Sequence, residues 1–209
     1  MRKKKELKFK TRKQIAIIVD GECEFWYFEM MKRNESTLNV TLKPKLPQKK
    51  RLSEQYNEII ESAKHFDNVF WVVDFDKINE EDRTKSKGQK STIQEFKEYQ
   101  IKLSKVDNVK IIVNNPCLEF WFLLHFEKTS RFFDSCEGAS KQLKKYLKDY
   151  EKTQKYFTKK DNDIYLKLLS IQNKAIEHSK SLGNFNINSS KSAISEMFEF
   201  FEKKHKLFA

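Results

Sequence analysis

The sequence predicts an α/β fold in which a parallel sheet is flanked by helices, followed by a lysine-rich helical region at the C-terminus. Short apolar runs alternate with helical patterns up to about residue 130, as in chains that build parallel sheets. The 209 residues are enough to bury a core, and aromatic residues make up 13% of them. Glycine and proline are too scarce for a long disordered linker.

We divide the chain into a basic N-terminal arm (1–13), an α/β core (14–130) and a helical C-terminal extension that packs on the core (131–209). Strands are predicted at Gln14–Val19, Asn39–Leu42, Val69–Val73 and Val109–Val113. Helices are predicted at Glu22–Arg33, Leu52–His65, Thr92–Lys105 and after strand four, with Asn115 as N-cap and Pro116 as first residue. In such sheets the functional crevice lies at the carboxyl ends of the strands.

Acidic residues follow these strands at the edge where we expect the crevice. Asp20 and Glu24 follow the first strand, and Asp74 and Asp76 follow the strand VFWVV. If strand geometry persists to Asp76, it points to the same side as Asp74, because strand side chains alternate. Two carboxylates on one side repel unless one binds a proton or both share a cation. The alternative is a pair of solvated acids at the start of a loop, with Asp76 paired to Lys77.

The hard cation that suits this arrangement is Mg²⁺, which takes oxygen ligands from one or two carboxylates. We therefore expect Asp20, Asp74 and Asp76 to bind Mg²⁺ or Mn²⁺, and expect these three with Glu24 to be catalytic.

Two polar residues interrupt the apolar helix LEFWFLLHF. A charge at Glu119 is unfavourable unless it is paired or bound to a metal. The alternatives are a supporting residue of the site and a buried glutamate bonded to an amide or a lysine. His125 is a supporting candidate, although a histidine on an apolar helix is more often a core residue than a catalyst.

Net charge favours an anionic partner, because Lys and Arg exceed Asp and Glu by 12. Basic residues cluster in Arg2–Lys13, Lys43–Arg51 and Lys141–Lys160, the last interleaved with Tyr146, Tyr150, Tyr156 and Phe157. Such a segment either binds a nucleic-acid backbone and stacks on bases or forms an amphipathic helix with its aromatic residues inward. The residues expected to bind nucleic acid are Lys49, Lys50, Arg51, Lys144, Lys145 and Lys148.

The cysteines Cys23, Cys117 and Cys136 lie far apart, without CxxC spacing. Their odd number and the lack of a secretory signal favour a reducing cytoplasm. No apolar run approaches membrane-spanning length, so no membrane partner is expected.

Three segments together resemble the RloB-like protein family: IIVDGECEFWYF (17–28), VFWVVDFDK (69–77) and NPCLEFWFLLHF (115–126). A weaker similarity lies in INSSKSAISEMFEFF (187–201). The resemblance implies a TOPRIM-type fold, the metal-binding module of topoisomerases, primases and OLD-type nucleases. It also implies a place among bacterial restriction and phage-defence loci, often beside an ATPase.

The family motif has a glutamate after the first strand and a DxD after a later one. Carried over, these positions fall on Asp20 and on Asp74 and Asp76. Asp20 departs from the motif, because its side chain is one methylene shorter than glutamate, and Glu22 and Glu24 are alternatives for that role. The other residues that match the family blocks are Gly21, Glu22, Glu24, Asn115, Pro116, Glu119, Trp121 and His125.

The function that these residues and the resemblance favour is a Mg²⁺-dependent nuclease that acts on DNA or RNA in anti-phage defence or abortive infection. An ATPase encoded nearby and a homodimer are the candidate assemblies. The alternative is a non-catalytic nucleic-acid sensor or scaffold. A third hypothesis is a HAD-type phosphatase with Asp74 as nucleophile and Asp76 as acid/base, although Ile78 stands where that motif has Thr or Val.

Overall fold

The centre of the computed structural model, which describes residues 13–44 and 50–208 and omits the side chains of 204–208, is a five-stranded sheet. Its strands are β1 (Ile15–Ile18), β2 (Val40–Lys43), β3 (Asn68–Asp74), β4 (Val109–Asn115) and β5 (Ile194–Ser195). They lie in the order β2-β1-β3-β4-β5, with the first four parallel and β5 antiparallel to β4. The predicted α/β class is confirmed, and the sheet is consistent with a TOPRIM-like fold.

Ten helices are described. The core contains α1 (Glu22–Asn34), α2 (Leu52–Ala63), α3 (Phe75–Thr84), α4 (Thr92–Leu103) and α5 (Leu118–Leu124). The predicted C-terminal helical region contains α6 (Cys136–Leu143), α7 (Gln154–Phe157), α8 (Ile164–Leu169), α9 (Gln172–Leu182) and α10 (Met197–Phe208). Helix α1 begins with glutamates and ends with basic residues, as the helix dipole favours.

Apolar layers cover both faces of the sheet, which explains why β1 and β3 are buried without alternation. In β3, Val69, Trp71 and Val73 face the layer formed by α2, α3 and α4. Phe70 and Val72 face the opposite layer, which contains α1, α5 and the C-terminal helices. Burial on both faces fixes β3 at the centre and thereby fixes where its last residue, Asp74, lies.

The structure corrects the expected helix start at Asn115. Asn115 is the last residue of β4, and the helix begins at Leu118 with Cys117 at the N-cap. The Asn115 Nδ2 atom donates hydrogen bonds to the carbonyls of Ser190 and Ser192, at 2.9 and 2.8 Å. Its amide therefore anchors the segment before β5 instead of capping a helix.

The C-terminal region also contributes to the sheet, which its lysine-rich pattern did not indicate. Strand β5 has two residues and pairs with Asn114 and Asn115 of β4. The domain boundary at residue 130 stays a prediction.

Within the described ranges, every helix falls short of the length and apolar character that crossing a membrane requires.

Candidate active site

The carboxyl ends of β1 and β3 lie side by side and carry the acidic residues. The two strands pair in parallel, with Ile18 opposite Trp71. Two residues beyond Ile18 is Asp20, and β3 ends at Asp74. The expectation that these acids meet at one edge is confirmed by this pairing.

A buried pair of carboxyl groups, Glu24 and Asp74, forms the centre of the site. Glu24 lies in the first turns of α1 and is 3% exposed, and Asp74 is 5% exposed. The two side chains are hydrogen-bonded to each other, which requires that one of them hold a proton. Burial, followed by the negative charge of Glu24, raises the pKa of Asp74 well above its usual range. The pair therefore holds a proton where a cation could bind.

Lys77, in the first turn of α3, faces all four predicted catalytic acids. Its Nζ atom lies 3.7 Å from Asp20 Oδ2. Burial alone would lower the pKa of Lys77, but the surrounding carboxylates, Glu24 foremost, raise it above its ordinary value. The sequence alternative named Lys77 only as an ion-pair partner of Asp76, and it did not predict that Lys77 also lies near Asp20, Glu24 and Asp74.

Gly21 leaves the space in which Glu24 and Lys77 approach each other. A Cβ atom at position 21 would lie 2.2 Å from Glu24 Oε2 and 2.7 Å from Lys77 Nζ. The backbone of Gly21 is extended, with φ −122°, so a side chain is excluded by the neighbouring groups and not by backbone conformation. The supporting role predicted for Gly21 thus has a steric reason.

Asp20 is positioned by Gln55 of α2. The Gln55 Nε2 atom donates to Asp20 Oδ1 at 3.0 Å, and Trp71 Nε1 donates to Gln55 Oε1 at 2.9 Å. Because Trp71 lies in the core, this chain of hydrogen bonds fixes Asp20 relative to the sheet. A lone glutamine in an amphipathic helix gave no sequence signal of this role.

Asn114 positions Asp74 from the neighbouring strand, where it is the direct register partner of that residue. Its Nδ2 atom lies 3.4 Å from Asp74 Oδ1, and its Oδ1 atom accepts a 2.7 Å hydrogen bond from Ser195 Oγ of β5. The C-terminal region is therefore linked to the acidic pair through Asn114.

Asp76 does not share a strand face with Asp74, so the expected alternation is wrong. The strand ends at Asp74, and Asp76 lies in the first turn of α3. Its Oδ2 atom accepts a hydrogen bond from the backbone N–H of Cys136 at 3.1 Å. Burial raises the pKa of Asp76, an effect opposed by that N–H and by Lys77.

Glu119 lies in a second polar cluster beside the first. It is 1% exposed, and its Oε1 atom accepts hydrogen bonds from Tyr150 Oη at 2.7 Å and Lys152 Nζ at 2.8 Å. Burial, followed by the Glu119 carboxylate, raises the pKa of Tyr150 and keeps the phenol neutral. The alternative of a buried glutamate paired to a lysine therefore describes Glu119.

Cys117 and Cys136 form a disulfide bond beside Glu119, with their Cα atoms 5.6 Å apart. Glu119 Oε2 lies 3.0 and 2.7 Å from the two sulfur atoms. Linear spacing did not predict this bond, because the fold brings the N-termini of α5 and α6 together. The expected cytoplasmic location stays a prediction.

The other two predicted supporting residues of this region are Glu22 and His125. Glu22 is exposed at the start of α1. His125 is 1% exposed, packs edge-on against Trp121 and bonds through Nδ1 to the Trp121 carbonyl at 3.0 Å. Burial lowers the pKa of His125 to about 4, so its ring is neutral at pH 7. The core-histidine alternative therefore fits His125.

The predicted nucleic-acid-binding residues divide into three groups. Lys49 lies outside the described residues. Lys50 is half-buried and 3.5 Å from Glu58, whereas Arg51 is exposed at the N-cap of α2. The exposed lysines of the C-terminal region are Lys144, Lys145 and Lys148. Of the interleaved aromatic residues, Tyr150, Tyr156 and Phe157 are buried, as the amphipathic alternative requires, whereas Tyr146 is 43% exposed.

The carboxylates of this edge fit a hard divalent cation. Glu24 Oε2 is buried and has no hydrogen-bond donor among the described residues, so a cation there would supply the missing partner. Asp20, Asp74 and Asp76 do not bring three oxygens within 4.8 Å of one another in the described structure. Mg²⁺ keeps several waters and needs one or two carboxylates, so Glu24 with Asp74 is the better ligand pair.

The group that does meet this distance is Asp76 with Cys117 and Cys136. Its sulfur atoms are bonded to each other, and metal binding by cysteine requires thiolates. This group is therefore not a metal site in the disulfide form.

In a comparison with protein families, the model described as RloB-like protein matches residues 15–203. The matched region includes the whole acidic cluster and the C-terminal helices as far as residue 203 of α10. No curated protein and no solved structure matches the chain.

Proposed function

The chain belongs to the RloB-like family, and we propose that it is a Mg²⁺-dependent nuclease that hydrolyses phosphodiester bonds of DNA or RNA. The observation that carries the proposal is the pair of buried acidic side chains, Glu24 and Asp74, at the carboxyl edge of the sheet. Two buried carboxyl groups in contact destabilise a fold, because burial and mutual repulsion disfavour their charged forms. Such a pair is therefore a candidate for binding a cationic ligand. A role in bacterial phage defence is part of the same proposal.

Glu24 and Asp74 would hold the divalent cation, with Asp20 and Asp76 beside them. The bound ion supplies an activated water and stabilises charge on the phosphate. The family motif has a glutamate at the position of Asp20. In this chain Glu24 takes that role, because it reaches Asp74 from the first turn of α1.

Lys77 has two functions in this proposal. Without a cation, its ammonium group offsets the negative charge of the four surrounding acidic groups. With a phosphate bound, the same group stabilises the additional negative charge. Gln55 and Asn114 hold Asp20 and Asp74 in place.

The test is cleavage of single-stranded DNA, duplex DNA, tRNA and other RNA with Mg²⁺ or Mn²⁺, with and without an ATPase encoded nearby. Asp74→Ala is expected to abolish cleavage, because it removes half of the pair. Asp107→Ala is the matched control, since Asp107 is exposed on the loop before β4. Titration calorimetry with Mn²⁺ measures metal binding separately. A protein that binds no divalent cation under either condition contradicts the proposal.

A non-catalytic sensor or scaffold is the second candidate. The observation that favours it is Lys77, whose ammonium group already faces the carboxylates that would bind a metal. In this case Asp74→Ala would preserve both nucleic-acid binding and phage protection in cells.

A further inference from the structure

An open cavity of about 360 Å³ lies between the segment that follows α5 and the first turns of α6. Its lining includes Arg131, Phe132, Asp134, Ser135, Lys141 and Lys145. Only Lys145 among these residues was expected to bind nucleic acid. The cavity is separate from the acidic pair, so its chemistry needs its own explanation.

Charge at the cavity favours an anion. Arg131, Lys141 and Lys145 supply three positive charges against one negative charge from Asp134. Lys141 lies in the last turn of α6 and Lys145 lies two residues beyond the end of that helix, and both line the cavity. None of the three cations forms an ion pair within the part of the chain that the structure describes.

An exposed aromatic ring stands beside these cations. The side chain of Phe132 is 48% exposed and has no aromatic ring contact among the described residues. Its neighbour Phe133 is buried, with the Arg131 guanidinium 5.7 Å from its ring centre. Exposed phenylalanine next to basic side chains is the combination that stacks on a base while cations hold phosphates.

The backbone connects the cavity to the acidic cluster. Ser135, which lines the cavity, is the N-cap of α6, and the next residue donates its N–H to Asp76 at 3.1 Å. A nucleic-acid strand bound in the cavity would therefore lie beside Cys136, whose N–H contacts Asp76 of the candidate active site.

We propose that this cavity binds one nucleotide of a single-stranded nucleic acid, with its base stacked on Phe132 and adjacent phosphates bound by Arg131, Lys141 and Lys145. Single strands are favoured because a base must be free of its own stack to contact Phe132. The inference rests on the proposed function, since it identifies the form of substrate delivered to that site.

The test measures binding of fluorescent oligonucleotides of about 12 nucleotides by anisotropy, in EDTA so that no cleavage occurs. Wild-type protein is expected to bind single strands at least about 10-fold more tightly than duplex. Phe132→Ala should weaken single-strand binding by about 5-fold or more, with an unchanged salt dependence. Lys141→Ala with Lys145→Ala should reduce the slope of log K against log salt by about 1.4.

The matched controls are Leu169→Ala, an exposed apolar residue of α8, and Lys87→Ala with Lys105→Ala, two exposed lysines that lie outside the cavity lining and outside the basic clusters. Both should bind as wild type does. Unchanged binding by Phe132→Ala, or an equal loss with duplex, overturns the inference. Cleavage assays separate the two proposals. Single-strand binding that depends on Phe132, without cleavage, contradicts only the proposed nuclease function. Normal cleavage by a protein whose binding does not depend on Phe132 contradicts only the proposed binding of a nucleotide in the cavity.

Discussion

Glu24 Oε2 and the Asp74 carboxyl group lie in the same buried site, where the two side chains are hydrogen-bonded and Glu24 Oε2 has no donor among the described residues. The two residues come from different strand ends, since Glu24 follows β1 and Asp74 ends β3. Their contact depends on the parallel pairing of these strands and on the absence of a side chain at Gly21. We expect this contact to lower the stability of the metal-free protein and to be required for cleavage.

Asp74→Asn is expected to stabilise the metal-free protein while abolishing cleavage. Folding raises the pKa of Asp74, so between its unfolded and folded pKa values the folded state binds more protons. The free energy of unfolding therefore falls as the pH rises above the unfolded pKa of about 3.9. The amide of the Asp74→Asn variant does not titrate, so the variant does not lose this stability. Urea unfolding at pH 8 in EDTA should show a gain of about 1 kcal/mol or more.

The control for this variant is Asp107→Asn, which should change neither stability nor cleavage. If Asp74→Asn is less stable than wild type at pH 8, the carboxyl pair is not a source of destabilisation.

Glu24→Gln and Glu22→Gln distinguish the two glutamates that the sequence left as alternatives. Glu24 is buried against Asp74, whereas Glu22 is exposed on the same helix. We expect Glu24→Gln to lower kcat by about 10²-fold or more and to weaken Mn²⁺ binding, because a neutral amide is a poorer ligand. Glu22→Gln should remain within about 2-fold of wild type. Equal effects of the two substitutions would contradict the assignment.

Strand positions could be predicted from the sequence because parallel strands buried on both faces are continuous apolar runs. Val69–Val73 is such a run, and its last neighbour, Asp74, is correctly placed at the sheet edge. The same reasoning failed at Asp76, because the sequence does not show that a helix begins at Phe75. The direction of the chain after a strand depends on packing. Here Phe75 and Ile78 pack in the same apolar layer as α4, and this packing places α3 directly after β3.

Residues that support the site were harder to predict, since their roles depend on contacts distant in sequence. Ser195 lies 81 residues from Asn114, and its strand is too short for a periodic pattern. Gln55 is a helix residue whose amide acts only because Trp71 and Asp20 lie on either side of it. Glu119 could be identified as requiring compensation, but Tyr150 and Lys152 could not be identified as its partners.

Gly21→Ala is expected to impair cleavage strongly with little loss of stability. The added Cβ would lie 2.2 Å from Glu24 Oε2 and must displace that side chain or Lys77. The extended backbone of residue 21 accepts alanine, so no backbone strain is added. Cleavage rates and thermal unfolding, measured together, test this. Retained cleavage would show that the position of Glu24 is not critical.

Reduction of the Cys117–Cys136 disulfide is expected to destabilise the protein by about 3 kcal/mol, since the bond closes a loop across a separation of 19 residues. Urea unfolding with and without dithiothreitol measures this loss, and the Cys117→Ser/Cys136→Ser variant should not respond to the reductant. Alkylation after unfolding without reductant should modify only Cys23. Modification of all three cysteines would contradict the bond.

His125 is expected to make stability fall as the pH decreases from 7 to 4.5. Burial lowers its pKa to about 4, so the unfolded chain gains a proton near its usual pKa of about 6.5, before the folded protein does. The stabilisation is thus complete above the unfolded pKa and is lost as the pH falls toward the folded one. At pH 4.5 the loss reaches about 2–3 kcal/mol.

His125→Gln removes the titrating ring and keeps an N–H that can donate to the Trp121 carbonyl. The difference in unfolding free energy between pH 7 and pH 4.5 should therefore be about 2 kcal/mol smaller in the variant, because the remaining acidic groups titrate in both proteins. His65→Gln is the control, since His65 is exposed and should leave the difference unchanged within about 0.5 kcal/mol. Equal pH dependence in wild type and His125→Gln would show that the ring at position 125 is already protonated in the folded protein at pH 4.5, as it is in the unfolded chain.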